Sequence, residues 1–572
     1  MTDLTRRGLF GAGAAATLAA ACETAGTAGS PGVGAKGAFR HGVASGDPTQ
    51  DAVILWTRVT PEDPAAQVAV NWFLASDPGF KTVLKKGVVM TGPERDHTVK
   101  VDVTGLSEGQ TYFYYFAVGE TASPGGTTRT LPAKGLADFR MAVVSCSNYP
   151  FGFFNAYREI GKRTDLHAVI HLGDYIYEYG RTGYGGEVGK QLGREHEPAG
   201  ECIRLADYRT RHAQYRSDPD LQSAHAVAPW FVVWDDHETA NNSHVTGAEN
   251  HQPDTEGSWE DRKAAAVQAY FEWMPVREPQ PGLARFAIYR KFDIGDLATL
   301  FMVETRLIAR GDDLNLDPVW LAAPKDQPAV IADIKAKVFA PDRTLLGAQQ
   351  EAWLAQGLKD SVAQGKKWQV LGNQVVMAKI KMPDLQKGLP PADYAKVSQG
   401  SKRFYESSKM GLEWNFDAWS GYPVARERLY KAVTDAKARL ITLAGDSHTA
   451  WANELIDNRG ARVGVEFACT AVTSNGAGDS LPYKQLNLMM TTANPDVIYY
   501  NAFDKGFTLV TLKADQVEAD YIRVSTVRSK DYSSSVDARF IARAASIGME
   551  GLTRAMATTI EGGRLPPAKR PD

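Results

Sequence analysis

Only four cysteines occur in the 572 residues, at positions 22, 146, 202 and 469. None lies close to another, which excludes the paired clusters of zinc ribbons and dithiol redox motifs. Each cysteine is therefore read singly. Excess positive charge is missing too: 64 Lys and Arg against 67 Asp and Glu give a formal net charge of -3. No global basic field exists to draw in nucleic acid, so a polyanionic substrate has to be attracted locally, most simply through bound cations. Internal repeats and low-complexity blocks are absent. No apolar run is long enough to cross a bilayer: the small-residue stretch from Gly11 to Ala21 falls well short of the ~20 residues a spanning helix needs.

What is present suits a folded enzyme. Hydrophobic residues make up 44% and charged residues 23% of the chain, with a mean hydropathy of -0.30. The length predicts two or three domains, one of them large. Residues 1–30 read as an export signal, with Arg6-Arg7 ahead of a weakly hydrophobic stretch. This resembles a Tat signal, which implies handling by the Tat translocase and a periplasmic or secreted destination. Leu18 to Cys22 also resembles a lipobox, which would make Cys22 a lipid anchor and the protein a lipoprotein. Ala19, three before the cysteine, is a poor match, and loss of Cys22 with the cleaved peptide is the preferred reading. After that cleavage no transmembrane helix is expected.

The fold class expected is α/β, an N-terminal antiparallel β-sandwich followed by a large domain of layered sheets. Residues 36–133 carry short alternating runs such as AVILWTRV, AVNWFLA and TYFYYFAV between Gly, Pro and Asp turns, the pattern of a sandwich of roughly seven strands. Residues 138–530 show buried-strand runs, FRMAVVSCS, AVIHLGD, WFVVWDDHE, ATLFMVETR, WQVLGNQVV and ARLITLAGDSH, with chemistry gathered at strand ends as open sheets require. GFTLVTLKADQVEADYIRV reads as a β-hairpin. Residues 531–572 are expected to be a helical extension and tail, from the helical spacing of apolar residues between Asp537 and Thr559.

Five strand ends deliver metal-capable groups: Cys146 in SCSN, Asp174 and Tyr177 in GDYIYEYG, Asp236 in WDDHETANN, Asn373 in GNQ, and Asp446 and His448 in GDSHTAW. A phosphate ester repels an attacking hydroxide. A cation cluster neutralises its oxygens, holds it in line and lowers the pKa of bound water. Asp174, in a Gly-Asp turn, is the expected bridging carboxylate. Cys146, Tyr177 and His448 around one ion suit iron or zinc, whereas Asp236, Asn373 and Asp446 supply only hard oxygen and suit calcium, magnesium or manganese. Two chemically unlike metal positions follow. Cys202 and Cys469 are read as buried packing residues.

Together with HGVASGDPTQDAVILWTRV, RTLLGAQQEAWL, DAWSGYPVARERL and AVTSNG, these motifs resemble the PhoD family of alkaline phosphatases and phosphodiesterases, within the calcineurin-like metallophosphatase superfamily. The resemblance implies Fe(3+) held by Cys146, Asp174, Tyr177 and His448, and Ca(2+) held by Asp174, Asp236, Asn373 and Asp446. It also places His237 on the histidine that stabilises the transition state or protonates the leaving group; a histidine that only hydrogen-bonds to orient Asp236 is the alternative. A guanidinium should clamp the phosphate, and Arg306 is the candidate. Glu304 departs from the family's Asp-x-Arg, and its longer side chain could shift Arg306 or remove a metal contact. The expected activity is hydrolysis of phosphomonoesters, phosphodiesters or both by metal-activated hydroxide or oxo attack, with no covalent serine intermediate. The alternatives are a phospholipase D-like diesterase acting on lipid or teichoic-acid-like substrates, and a catalytically silent protein that binds phosphate compounds.

Overall fold

In a computed structural model, residues 37–555 are described, apart from 313, 414, 546 and 547. The Tat-like leader, Cys22 and the chain beyond residue 555 lie outside the described residues. Among those described, one mixed sheet holds ten strands, a second holds seven, and a separate antiparallel sheet holds five.

In the ten-stranded sheet, Asp138–Val144, Ala168–His171 and Trp230–Val232 run parallel side by side. In the seven-stranded sheet, Ala298–Met302, Trp368–Gly372, Leu440–Ala444 and Arg462–Ala468 do the same. These strands read as near-continuous apolar runs because both of their faces are covered. Met141, Val143, Ile170 and Phe231 of one sheet share a single buried core with Leu300, Val370, Ile441 and Val465 of the other. The carboxyl ends of the parallel strands in both sheets therefore meet along one rim. Gly445 marks how closely the sheets approach there, since a Cβ at that position would lie 2.6 Å from Ser145 Oγ.

The N-terminal strands form a sandwich, but one leaf is not their own. Val68–Ala75, Val83–Thr91, Thr111–Val118 and Gly126–Arg129 build the five-stranded sheet with the two-residue strand Thr121–Ala122. Val43–Gly46, Val53–Arg58 and Thr98–Val103 instead extend the ten-stranded sheet beyond Trp230–Val232. Val53, Leu55 and Val99 pack against Val70, Tyr114 and Phe116 to fill the sandwich. Arg290 pairs with Asp47 and Arg277 with Asp102 across the same junction.

The expected C-terminal helix is corrected. Ser534–Arg543 is a strand paired antiparallel with Gln516–Val524. Ala538, Phe540 and Ala542 are buried at a period of two, and a ladder along the hairpin satisfies the backbone that a helix would have satisfied internally.

Candidate active site

Four of the expected ligands sit in left-handed backbone: Cys146 at φ 59°, Asp174 at 57°, Asp446 at 59° and His448 at 58°. Non-glycine residues rarely adopt this region, and strain of this kind gathers where side-chain direction matters more than local comfort. Each turn follows a parallel strand and bends its side chain back over the rim. The Asp174 turn is pinned from below by Glu238, whose carboxylate accepts the backbone N–H of Asp174 (3.0 Å), Tyr175 (2.6 Å) and Asp235 (2.8 Å).

The structure brings donor atoms together in three sets. Those of Cys146, Asp174 and His448 lie within 4.8 Å of one another, as do those of Asp174, Asp236 and His237, and those of Asp235, Asp236 and Asp446. Asp174 belongs to two sets and so links the Cys146 side to the Asp236 side. Tyr177 joins the first: its hydroxyl donates to Asp174 Oδ2 at 2.9 Å and lies 3.2 Å from His448 Nε2. His448 Nδ1 faces the Asn475 carbonyl at 2.5 Å. A carbonyl only accepts, so the ring proton sits on Nδ1 and the Nε2 lone pair faces the thiol and carboxylate. Asn373, buried at the end of Trp368–Gly372, stands beside the Leu440–Ala444 strand that carries Asp446, with its Oδ1 accepting from Trp419 Nε1 at 3.1 Å.

Electrostatics show what the cluster asks for. Burial, then the neighbouring carboxylates, pushes Asp174 well above the usual carboxylate range; burial, then Asp417 and Asp235, does the same to Asp446. Burial, then Asp174, pushes up the Cys146 thiol and the Tyr177 phenol. Asp174 Oδ1 and Asp236 Oδ1 are buried with no hydrogen-bond partner. Such a crowd of desolvated acids is stable as anions only around cations, which invert the local titration. The donor set fits: sulfur, phenol and imidazole on one side, oxygen on the other.

His237 lines the pocket, stacks on Tyr177 with ring centroids 4.1 Å apart, and is held through Nδ1 by Glu178 at 2.8 Å. Although burial opposes it, the charges of Asp236, Glu178 and Asp174 raise the imidazole pKa well above its ordinary value.

Arg306 is corrected from phosphate clamp to internal counter-ion. Its guanidinium is fully buried, bonded to Asp235 through Nε and to Asp417 through both terminal nitrogens (2.5 and 3.0 Å), with Asp236 3.6 Å away. It is not on the pocket wall. Surrounded by acids, the fixed charge finds its partners inside. Glu304 likewise turns inward, accepting the N–H of Arg306, Leu307 and Ile308 and the Trp234 indole. It caps the turn that positions Arg306 and touches none of the expected ligands.

Three supporting residues escaped the sequence reading: Glu178, Asp417 and Ser474, whose Oγ donates to the Tyr177 hydroxyl at 2.7 Å. Glu178 and Ser474 lie inside motifs already singled out, GDYIYEYG and AVTSNG, and Asp417 opens DAWSGY. A cavity of about 370 Å³ opens at the rim, walled by Asp174, Asp236, His237, Asp417, Asp446 and His448.

The PhoD-like phosphatase family profile matches residues 141–521, and the profile of that family's N-terminal domain matches residues 26–132. The chain belongs to the PhoD-like phosphatase family. Alkaline phosphatase D of Bacillus subtilis (strain 168) is 35% identical over 542 residues, covering 92% of this chain and 84% of that protein. A solved structure described as that of PhoD superposes with a TM-score of 0.74 at 34% identity, covering 92% of this chain and 94% of the other. For this PhoD-like chain the likeness thus runs through the N-terminal strands as well as the catalytic sheets, and the α/β class with an N-terminal antiparallel region stands as expected.

Proposed function

We propose that this PhoD-like phosphatase hydrolyses phosphate esters at a cluster of two unlike cations. The observation that supports this most directly is the set of buried, mutually repelling carboxylates linked through Asp174 and flanked by a thiol and an imidazole whose lone pair is aimed at them. Cys146, Asp174, Tyr177 and His448 would hold an iron-type ion, and Asp174, Asp236, Asn373 and Asp446 a calcium-type ion. Once bound, the cations supply charge neutralisation for the phosphoryl oxygens and a nucleophile at neutral pH.

The chain's own residues do the rest. His237, held through Nδ1 by Glu178, keeps a proton available at Nε2 for the departing oxygen. Arg306 offsets the carboxylates from behind, so Asp235 and Asp236 keep their direction without spending a substrate contact. Ser474 and Asn475 fix Tyr177 and His448 in place. Export through the Tat pathway to the periplasm or beyond belongs to the same reading and is supported by the twin arginine of the leader.

The test is elemental analysis of the purified protein together with hydrolysis of a chromogenic phosphomonoester and diester, with and without chelator. Iron and calcium with chelator-sensitive turnover are expected. Metal without turnover would leave a silent binding protein, and turnover indifferent to chelation would remove the cation cluster from the reaction.

A further inference from the structure

Tyr175, next to Asp174 in the chain, leads from the rim into a buried group of polar side chains that hydrolysis does not use. At its centre is Arg216, the last residue of the helix Leu205–Arg216, with no exposed surface. Its Nε, Nη1 and Nη2 are all buried without a hydrogen-bond partner, and it is ion-paired with none of the described residues. The guanidinium carbon stands 4.3 Å from the centre of the Trp56 ring. That ring face attracts the charge but brings no counter-ion, and an uncompensated buried cation is among the costliest groups a fold can hold.

The neighbours add donors rather than acids. The Tyr175 hydroxyl lies beside the guanidinium, whose charge works against the rise that burial gives the phenol pKa. A guanidinium only donates, so that hydroxyl turns its own proton to His225 Nε2, 3.0 Å away. The His225 ring proton then sits on Nδ1, which is buried and has no acceptor. Trp273 Nε1, a donor only, is likewise buried and unpartnered, and its ring lies 5.8 Å from that of Trp56 and 6.2 Å from that of His212 between centroids. Neither nitrogen of His212 has a partner, and one of them carries a proton in any form of the ring. Each of these unpartnered groups therefore has an N–H to give.

The surrounding charges confirm the sign. After burial, His212 has its pKa lowered by Arg216 and Arg211, His225 by Arg216 and His171, and His41, edge-on to Trp273, by Arg58, Arg216 and Arg40. No carboxylate opposes them. Arg58 is paired with Asp96, and Asp218, the acid that acts on Tyr175, is paired with Arg194. Arg211 donates to the backbone carbonyls of Glu197, Tyr177 and Pro198.

We propose that this group binds one halide-sized monovalent anion, held by the Arg216 guanidinium and the N–H groups of His225, His212 and Trp273. One negative charge matches the one guanidinium here that has neither an acid nor a carbonyl. An ion without protons accepts from every donor at once, whereas a water molecule brings two protons of its own and no charge. Seated there, the anion ties the helix Leu205–Arg216 to Pro219–Val227 and Trp259–Trp273, beneath the residue whose N–H Glu238 holds in the Asp174 turn.

The first measurement is a crystal of the full protein purified and grown in sodium bromide, with anomalous differences collected at the bromine edge. A peak within hydrogen-bond distance of the Arg216 guanidinium is expected. Peaks confined to exposed basic side chains, an adventitious ion only, or no anomalous signal at Arg216, would overturn the proposal. The second is equilibrium unfolding at fixed ionic strength with chloride replaced stepwise by gluconate. For one site, tenfold more chloride above half-saturation raises the folded-to-unfolded ratio by about tenfold, and Arg216→Met is expected to lose that dependence. Trp273→Phe, which deletes a single donor, is expected to retain it with half-saturation at severalfold more chloride. Equal midpoints in chloride and gluconate for the unaltered protein would overturn the site, as would a chloride dependence that neither variant changes.

Discussion

A carboxylate at position 174 takes part in two of the three donor sets, and its charge is what makes them one site. Asp174→Asn keeps the shape and removes that charge. Turnover is expected to fall by roughly a hundredfold or more, with loss of bound metal, measured by initial rates and elemental analysis on the same sample. Full turnover with full metal would assign the bridge elsewhere. Glu178→Gln removes one of the anions that raise the His237 pKa. If Nε2 donates the proton, the alkaline limb of the kcat/KM profile moves to lower pH, because the imidazolium is less stabilised, while metal content holds. An unchanged limb would show that His237 only orients Asp236. Arg306→Met strands Asp235 without its counter-charge and leaves Asp417 with Arg310. A loss of about 3–5 kcal/mol of stability is expected, read from the midpoint of denaturation.

At this scale much of the site was legible. Ligand-type residues fall at strand ends, and a strand end can be read from local pattern. Arg306 was legible as a guanidinium near the site but not in its role, because four acids from three separate segments surround it and no local pattern announces that convergence. Glu178 was hidden for a similar reason: it meets His237 only after the Trp230–Val232 strand lies beside Ala168–His171.

Among elements, the turn after Ala168–His171 is the most constrained. Gly173 has φ 100°, and a Cβ there would lie 2.4 Å from both the backbone N and the Cβ of Asp235. Gly173→Ala therefore both strains the backbone and pushes apart two ligand-bearing turns. A loss of about 3 kcal/mol and of metal affinity is expected, checked by denaturation and by metal titration. Element type was read correctly for the long buried runs. It failed over Asp537 to Arg543, where short apolar spacings satisfy two periods at once and the partner strand Gln516–Val524 decided between them. The N-terminal sandwich was legible as strands. Their division between two sheets was not, because it depends on which edge of the catalytic sheet stands open.

For the whole molecule, that division makes the N-terminal region part of the catalytic domain's own sheet. Removing residues 37–132 would expose the edge of Trp230–Val232 and strip Arg277 and Arg290 of Asp102 and Asp47. The truncated chain is expected to be insoluble or unable to fold cooperatively, as judged by solubility and thermal unfolding. A soluble, cooperatively unfolding fragment would mean the junction is a docking contact.

The closing of the rim also sets a clock. Cys146 leaves the ribosome about 300 residues ahead of His448, and the strand Lys505–Lys513 that flanks Asp138–Val144 comes later still. At ordinary rates of synthesis that is a delay of roughly 15–60 s, during which the thiol has Asp174 and Tyr177 on the same stretch of chain but lacks His448. A growing chain of this protein is thus for a time a polypeptide with an incompletely surrounded thiol that can be oxidised or can pick up the wrong ion, and its full ligand set exists only once His448 in its last quarter has been made.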